Sequence, residues 1–252
     1  MGDRFIDEYE VLLLDMGNTF MFNSDRFDDE QDYHATYVRL GGSILSPEQV
    51  RRYITDSFER MLTAARTPSR VDDFGSIRRF LPEAPGVSAL PPEELERLVA
   101  VFSEHECGTI PRTHARVLHT LRESHPLGLV SNVWAPSSVF DRTLAEAGVR
   151  DLFTIRVWSS DFRSIKPSKR LFKKALDAFD VDSSHVVYIG DNPRRDVAGA
   201  KAMGMGAVWI ENEVRPLTPE IPGPDLIISD LTELPTAPRN GNTTKPLPGS
   251  AG

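Results

Sequence analysis

Val11-Leu12-Leu13-Leu14 is an apolar run with no polar break, and it stops at a carboxylate, Asp15, before Gly17-Asn18-Thr19 turns the chain away. Such a run predicts a strand buried on both faces, as inside a parallel sheet. The pattern recurs in LGLVSN (127–132), FTIRVWSS (153–160), VVYIGDN (186–192), GAVWI (206–210) and LIIS (226–229). Between these runs the apolar spacing lengthens to that of a helix. Ala115, Leu118 and Leu121 form one such face, Val139 to Ala147 with the stop at Gly148 a second, Leu171 to Phe179 a third. A fourth runs through Val197, Ala200 and Met203 to Gly204. Glycine just past the last periodic residue is a favourable helix stop.

Residues 21–110 follow a different rule. Long β-type runs vanish, and helical spacing takes over at Tyr33, Tyr37 and Leu40, at Val50, Ile54, Phe58 and Met61, and at Leu95, Leu98, Val99 and Phe102. Ser46-Pro47-Glu48 and Leu90-Pro91-Pro92-Glu93 read as helix starts, with Pro in the first turn and acid near the N-terminus. Thr67-Pro68-Ser69 and the stretch from Leu81 to Gly86 are breaks between helices. So long a helical block is more than a crossover connection needs. The fold expected is therefore α/β: a Rossmann-like parallel sheet core with helices on both faces, plus an inserted all-α cap subdomain. The core is discontinuous, residues 1–20 and 111–234, the cap is 21–110, and the Pro-, Gly- and Asn-rich 235–252 are read as a disordered tail.

Composition narrows the partners more than the fold. The 252 residues carry a formal net charge of −8, which gives no support for nucleic-acid binding, and Arg51-Arg52 and Arg78-Arg79 read as solvated helix faces. No apolar run approaches the roughly 18 residues of a membrane span. The single cysteine, Cys107, cannot form an internal disulfide, which fits a reducing compartment, and Met1 to Glu10 are a polar lead-in without the character of a signal peptide. The expectation is a cytoplasmic protein.

Polar groups stand at the ends of separate strands: Asp15, Ser131-Asn132 and Asp191-Asn192. Lys166, in the segment SIKPSK, is a further one. Ligands of open α/β sheets bind beyond the carboxyl ends of the strands, so neighbouring strands would bring these groups to one crevice. Two carboxylates suit a hard, oxygen-seeking cation such as Mg²⁺. A hydroxyl and a lysine suit phosphate oxygens, and a carboxylate can attack phosphorus to form an acyl phosphate.

The order DMGNT, VSN, IKP and YIGDNPRRDVAGAKAMGM resembles the motifs of the haloacid dehalogenase superfamily, over nearly the whole of residues 11–232. The resemblance implies that Asp15 is the nucleophile and that Mg²⁺ is held by Asp15, the Gly17 carbonyl and Asp191. It implies that Thr19, Ser131, Asn132 and Lys166 bind the phosphoryl group, with Thr19 orienting its loop. Asp196 would anchor the metal waters or Lys166, Asn192 would support the metal loop, and the helical insert would be a mobile cap that sets substrate preference. The substrate expected is a small phosphorylated metabolite.

One position departs from the pattern. Most phosphatases of that superfamily carry a second aspartate two residues after the nucleophile, for proton transfer; here the residue is Gly17. Asp25, Asp28, Asp29 or a cap residue are candidate substitutes. Three readings follow: a Mg²⁺-dependent phosphatase with an altered nucleophile loop, a dehalogenase-like hydrolase, and a binding or regulatory module with weak catalysis or none. Asp191 speaks against the second, and the retained Asp15, Lys166, Asp191 and Asp196 against the third. Tyr33, Tyr37, Tyr53 and Phe58 are read as core of the insert, and Trp134 either as a ligand contact or as packing that closes its loop.

Overall fold

β1 (Val11–Leu14) is the centre of a parallel sheet, as its apolar run predicts. It pairs with β2 (Leu127–Ser131) on one side and β4 (Val186–Gly190) on the other, so that Leu14 faces Leu129 and Ile189 in register. β3 (Phe153–Trp158) extends the first side, and β5 (Gly206–Ile210) with β6 (Leu226–Ile228) the second, giving the order β3-β2-β1-β4-β5-β6. The chain thus runs outward from β1 in one direction, then restarts beside it in the other. That reversal places a topological switch point at the carboxyl end of β1. The computed structural model describes residues 4–211 and 216–239.

Every residue of β1, β2, β4 and β5 is buried, because both faces are covered. Leu12, Leu14, Leu129 and Ile189 share one core with Leu118 and Leu121 of α5 (Arg112–Ser124) and Phe140 and Leu144 of α6 (Ser137–Glu146). Their neighbours Leu13, Val130 and Tyr188 point the other way, against Leu171 and Phe172 of α8 (Lys169–Leu176) and Ala200 of α9 (Ala198–Lys201). Alternation of side chains across the pleat divides one run between two cores.

Between β1 and β2 the described residues form helices: α1 (Tyr33–Arg39), α2 (Pro47–Ala65), the single turn α3 (Ile77–Phe80) and α4 (Pro92–Glu106). Ser46 and Gln49 close a reciprocal capping box at the start of α2, which satisfies backbone donors that the first turn leaves without partners. Tyr33, Tyr37, Val50, Ile54, Leu98 and Phe102 are buried between these helices, in a core continuous with that on the first face of the sheet. The chain departs and returns side by side. Phe22 and Thr109 exchange backbone bonds of 2.9 and 2.8 Å, and the Arg26 N–H donates to the His105 carbonyl at 2.8 Å. The division at 21–110 remains a proposal that rests on this paired crossing.

The structure moves several expected boundaries. β3 ends at Trp158, and Ser159 and Ser160 open the short helix α7 (Ser159–Phe162). The Ser159 hydroxyl bonds both the N–H (2.9 Å) and the carbonyl (2.8 Å) of Val133, which draws the chain out of the ladder. The helix after Asp191 begins as a π-helical turn, Pro193–Val197. The tail does not begin at Pro235. Leu231–Thr236 is a 3-10 helix, and the carbonyl of buried Ala237 accepts the Phe5 N–H at 2.8 Å. The expectation of disorder over 240–252 falls outside the described residues. Among the described residues no helix is long and apolar enough to cross a membrane.

Candidate active site

The site is built where the strands stop. The Asp15 N–H donates to the Ile189 carbonyl at 2.8 Å, so the ladder holds this residue's backbone one step beyond β1. The Met16 carbonyl then accepts the N–H groups of Thr19, Phe20 and Met21 at 2.9–3.2 Å, while Asn18 adopts φ 52°, a left-handed turn that Asn tolerates. Asp15 is thereby fixed by main-chain bonds on both sides of the turn.

Its carboxylate is held just as closely. The Ser131 hydroxyl donates to Asp15 Oδ1 at 2.7 Å, and Lys166 Nζ lies 2.9 Å from the same oxygen. Lys166 Nζ also donates to Asp196 Oδ1 at 2.7 Å and to the Tyr188 hydroxyl at 2.8 Å, and that hydroxyl donates to the Val130 carbonyl at 2.6 Å. Lys166 is only 1% exposed. Burial works against its charge, but the carboxylates of Asp15 and Asp196 outweigh it and raise the pKa, so the ammonium persists at neutral pH. The Tyr188 phenol is pushed well above its ordinary range by burial and by the surrounding carboxylates, so it remains a neutral hydroxyl.

Asp196 accepts the Asn192 N–H at 2.9 Å, and the Asn192 side chain caps the π-helical turn through the N–H groups of Arg194 and Arg195 at 3.1 Å. Asp191 is buried at the end of β4, its carbonyl accepting the Trp209 indole N–H at 3.2 Å. Carboxylate oxygens of Asp15, Asp191 and Asp196 lie within 4.8 Å of one another. This all-oxygen set suits a hard divalent cation such as Mg²⁺. Asp196 bonds Lys166 and the Asn192 N–H, whereas Asp15 and Asp191 follow the ends of adjacent strands and could hold such an ion between them. Gly190 makes the arrangement possible, since a Cβ there would lie 2.4 Å from Asp196 Oδ2.

Of the sequence-derived set, Asp15, Ser131, Lys166, Asp191, Asp196 and Asn192 are brought together, with some division of labour. Asn132 spends its side chain on the lysine loop: Oδ1 accepts the Lys166 N–H at 2.7 Å and Nδ2 donates to the Lys166 carbonyl at 3.4 Å. Thr19 is 1% exposed, and its hydroxyl has no hydrogen-bond partner among the described residues, as expected of a group that awaits a ligand oxygen. Trp134 packs: its ring lies 5.5 Å from Phe58 and 5.7 Å from Phe74, and its carbonyl accepts the Ile77 N–H at 2.8 Å. The helical layer also touches the lysine loop, through Ile165 N–H to the Val71 carbonyl (2.9 Å) and the Ser168 hydroxyl to Asp72 Oδ1 (2.5 Å).

A Cβ on Gly17 would meet no atom within 4 Å. Gly17 and Ser131 line a small, half-open pocket together with Asp25 and Glu106. Glu106 is 5% exposed, and its two oxygens accept the N–H groups of Trp134 (2.6 Å) and Ala135 (2.5 Å). Burial, with the nearby Asp25 charge, pushes its pKa up to about 8.

Sequence reasoning missed Tyr188 and Glu106, although both left a trace. A tyrosine inside a fully buried strand must find a partner for its hydroxyl. Glu106 follows Phe102 by one helical turn, so an acid occupies the next position of the apolar stripe that Leu95, Leu98, Val99 and Phe102 define.

Comparison with known proteins gives a consistent picture. The family described as haloacid dehalogenase-like hydrolases matches residues 31–210. A phosphoserine phosphatase of Thermus thermophilus is 33% identical over 185 residues, 73% of this chain and 70% of that protein. A glyceraldehyde 3-phosphate phosphatase of Pyrococcus abyssi is 37% identical over 98 residues, 38% of this chain and 40% of that protein. The crystal structure of a 2-haloacid dehalogenase from Pseudomonas syringae superposes with a TM-score of 0.64 at 24% identity, covering 90% of this chain and 96% of that one, a likeness of fold.

Proposed function

Because the chain belongs to the haloacid dehalogenase-like hydrolases, we propose that it is a Mg²⁺-dependent phosphohydrolase that transfers a phosphoryl group from a small phosphate ester to Asp15 and then to water. The observation that carries this reading is the Asp15 carboxylate, with the Ser131 hydroxyl and the Lys166 ammonium on one oxygen and Asp191 within reach of a shared cation. The phosphatases among its relatives support the same class of reaction.

Asp15 attacks phosphorus, and the ester oxygen leaves. Lys166 and Ser131 turn from the carboxylate toward the phosphoryl oxygens, where the ammonium offsets the charge of the transition state. The buried, unpartnered hydroxyl of Thr19 is a further candidate donor to that group. Asp196 and Tyr188 hold the lysine, and Asn132 holds the backbone that carries it. Asp15, Asp191 and the Gly17 carbonyl would hold Mg²⁺, which would supply charge neutralisation for the phosphoryl group. The retained Asp191 favours phosphoryl chemistry over dehalogenation, which needs no cation. The partner is a small phosphorylated metabolite rather than a nucleic acid or a membrane, and the lone Cys107 agrees with a cytoplasmic setting.

The test is phosphate release from 4-nitrophenyl phosphate, with Mg²⁺ and with chelator. Wild-type release that requires Mg²⁺ and falls by about 10⁴–10⁶-fold in Asp15→Asn, on the scale of losing a nucleophile, supports the reading. A folded protein that releases no phosphate would instead be a binding module.

A further inference from the structure

Gly17 offers no proton to a departing alkoxide, yet the space beside it is not without acid. We propose that Glu106 is the catalytic proton donor and acceptor of this site, serving an alcohol leaving group seated in the pocket beside Gly17. The proposal rests on the phosphohydrolase reading above.

The geometry argues for Glu106 over its neighbours. Gly17, two residues after the nucleophile, and Ser131, whose hydroxyl bonds its carboxylate, line the same pocket as Asp25 and Glu106. Asp25 is exposed at a left-handed turn, φ 55°, whereas Glu106 is buried. The N–H groups of Trp134 and Ala135, in the loop that leaves Ser131, each take one of its oxygens. Each carboxyl oxygen has two acceptor sites, so a further position remains on each for a proton. The charged or titratable groups around it are Asp25, which favours the protonated form, and the Cys107 thiol, which its own burial raises. The Arg26 guanidinium is engaged by the carbonyls of Asn23, Glu104 and Cys107. A carboxyl with a pKa of about 8 carries a proton at neutral pH, as a general acid must.

The proton account closes over two steps. In the first, an Asp15 oxygen bonds to phosphorus, the bond from phosphorus to the ester oxygen breaks, and the Glu106 proton passes to that oxygen to release the alcohol. In the second, water attacks the phosphorus, Glu106 carboxylate takes the water proton, and the bond from phosphorus to Asp15 breaks. Inorganic phosphate leaves, with Glu106 again protonated.

A leaving group that needs no proton separates this role from a structural one. The experiment compares kcat/KM for 4-nitrophenyl phosphate and for ethyl phosphate in wild type and Glu106→Gln. Glutamine keeps the size of the side chain and removes its proton. The ratio of ethyl to nitrophenyl turnover is expected to fall by about 10²–10⁴-fold. Adding Gly17→Asp to Glu106→Gln should recover much of that ratio, because the new side chain enters space that is already open and a backbone that is not left-handed. In wild type, ethyl phosphate kcat/KM should fall as pH rises through about 8 while nitrophenyl phosphate does not follow, a readout that holds even if the variant does not fold. An equal loss on both esters would assign Glu106 to holding the Trp134–Ala135 backbone and overturn the proposal. So would an unchanged ratio, or a wild type that cleaves only the nitrophenyl ester. Failure of nitrophenyl phosphate hydrolysis in wild type would overturn the phosphohydrolase reading itself.

Discussion

Two regions of this molecule bury polar groups, on different terms. In the helical insert, the Tyr37 hydroxyl donates to Glu94 Oε2 at 2.6 Å, and Glu94 is paired with Arg97, whose side chain is 22% exposed. The Arg97 end of this pair reaches the surface, and an apolar interior of Val50, Ile54, Leu98 and Phe102 does the packing. Behind the nucleophile, the Lys166 and Asp196 side chains are each 1% exposed, and the one ammonium bonds the carboxylates of both Asp196 and Asp15. Apolar residues of similar volume often replace a buried ion cluster without loss of stability. Its presence at the carboxyl end of the sheet is therefore better explained by chemistry than by folding, whereas the Tyr37–Glu94 bond is explained by folding alone.

That contrast can be tested by removing one partner at a time. Lys166→Met should do the most damage: phosphate release is lost, and stability falls by about 3–5 kcal/mol because Asp15 and Asp196 are left buried without a cation. Urea unfolding at neutral pH measures it, and a stable but inactive variant would show that water reaches the cluster. Gly190→Ala is intermediate. Its methyl group would displace Asp196 from Lys166 and from the Asn192 N–H, costing about 1–3 kcal/mol as overpacking. Turnover should drop by up to about 10²-fold through the misplaced lysine. Tyr37→Phe should be the mildest for turnover, though it costs about 1–3 kcal/mol of stability, because Glu94 and the Ile44 and Leu45 N–H groups lose their shared partner. Phosphate release by the folded protein should stay within about twofold. A larger loss of turnover would tie the interior of the insert to the chemistry and erase the distinction between the regions.

Legibility in the sequence followed the same line. Asp15, Ser131 and Asp191 could be read because each ends an apolar run, and a strand delivers its last residue to a fixed edge of the sheet. Glu106 ends a helix in another part of the chain, so its sequence context said only that an acid lay on an apolar stripe. The start of the tail, 235–239, was misread because composition alone does not reveal that the Ala237 carbonyl finds a partner at Phe5.

Local pattern by itself determined the strands of the sheet, the helices between them, the helical character of 21–110, and the identity of the groups at the strand ends. These depend on periodicity, capping and turn residues over a few positions. Only the tertiary structure decided which of those groups touch. β1 lies between β2 and β4, which sets Ser131 and Lys166 on one oxygen of Asp15 and Asp196 beyond the lysine. The return of α4 beside Phe22 brings Glu106 to the space that Gly17 leaves open. Contacts between residues far apart in the chain are fixed by strand order and by the packing of whole elements, and no short window of sequence carries that information.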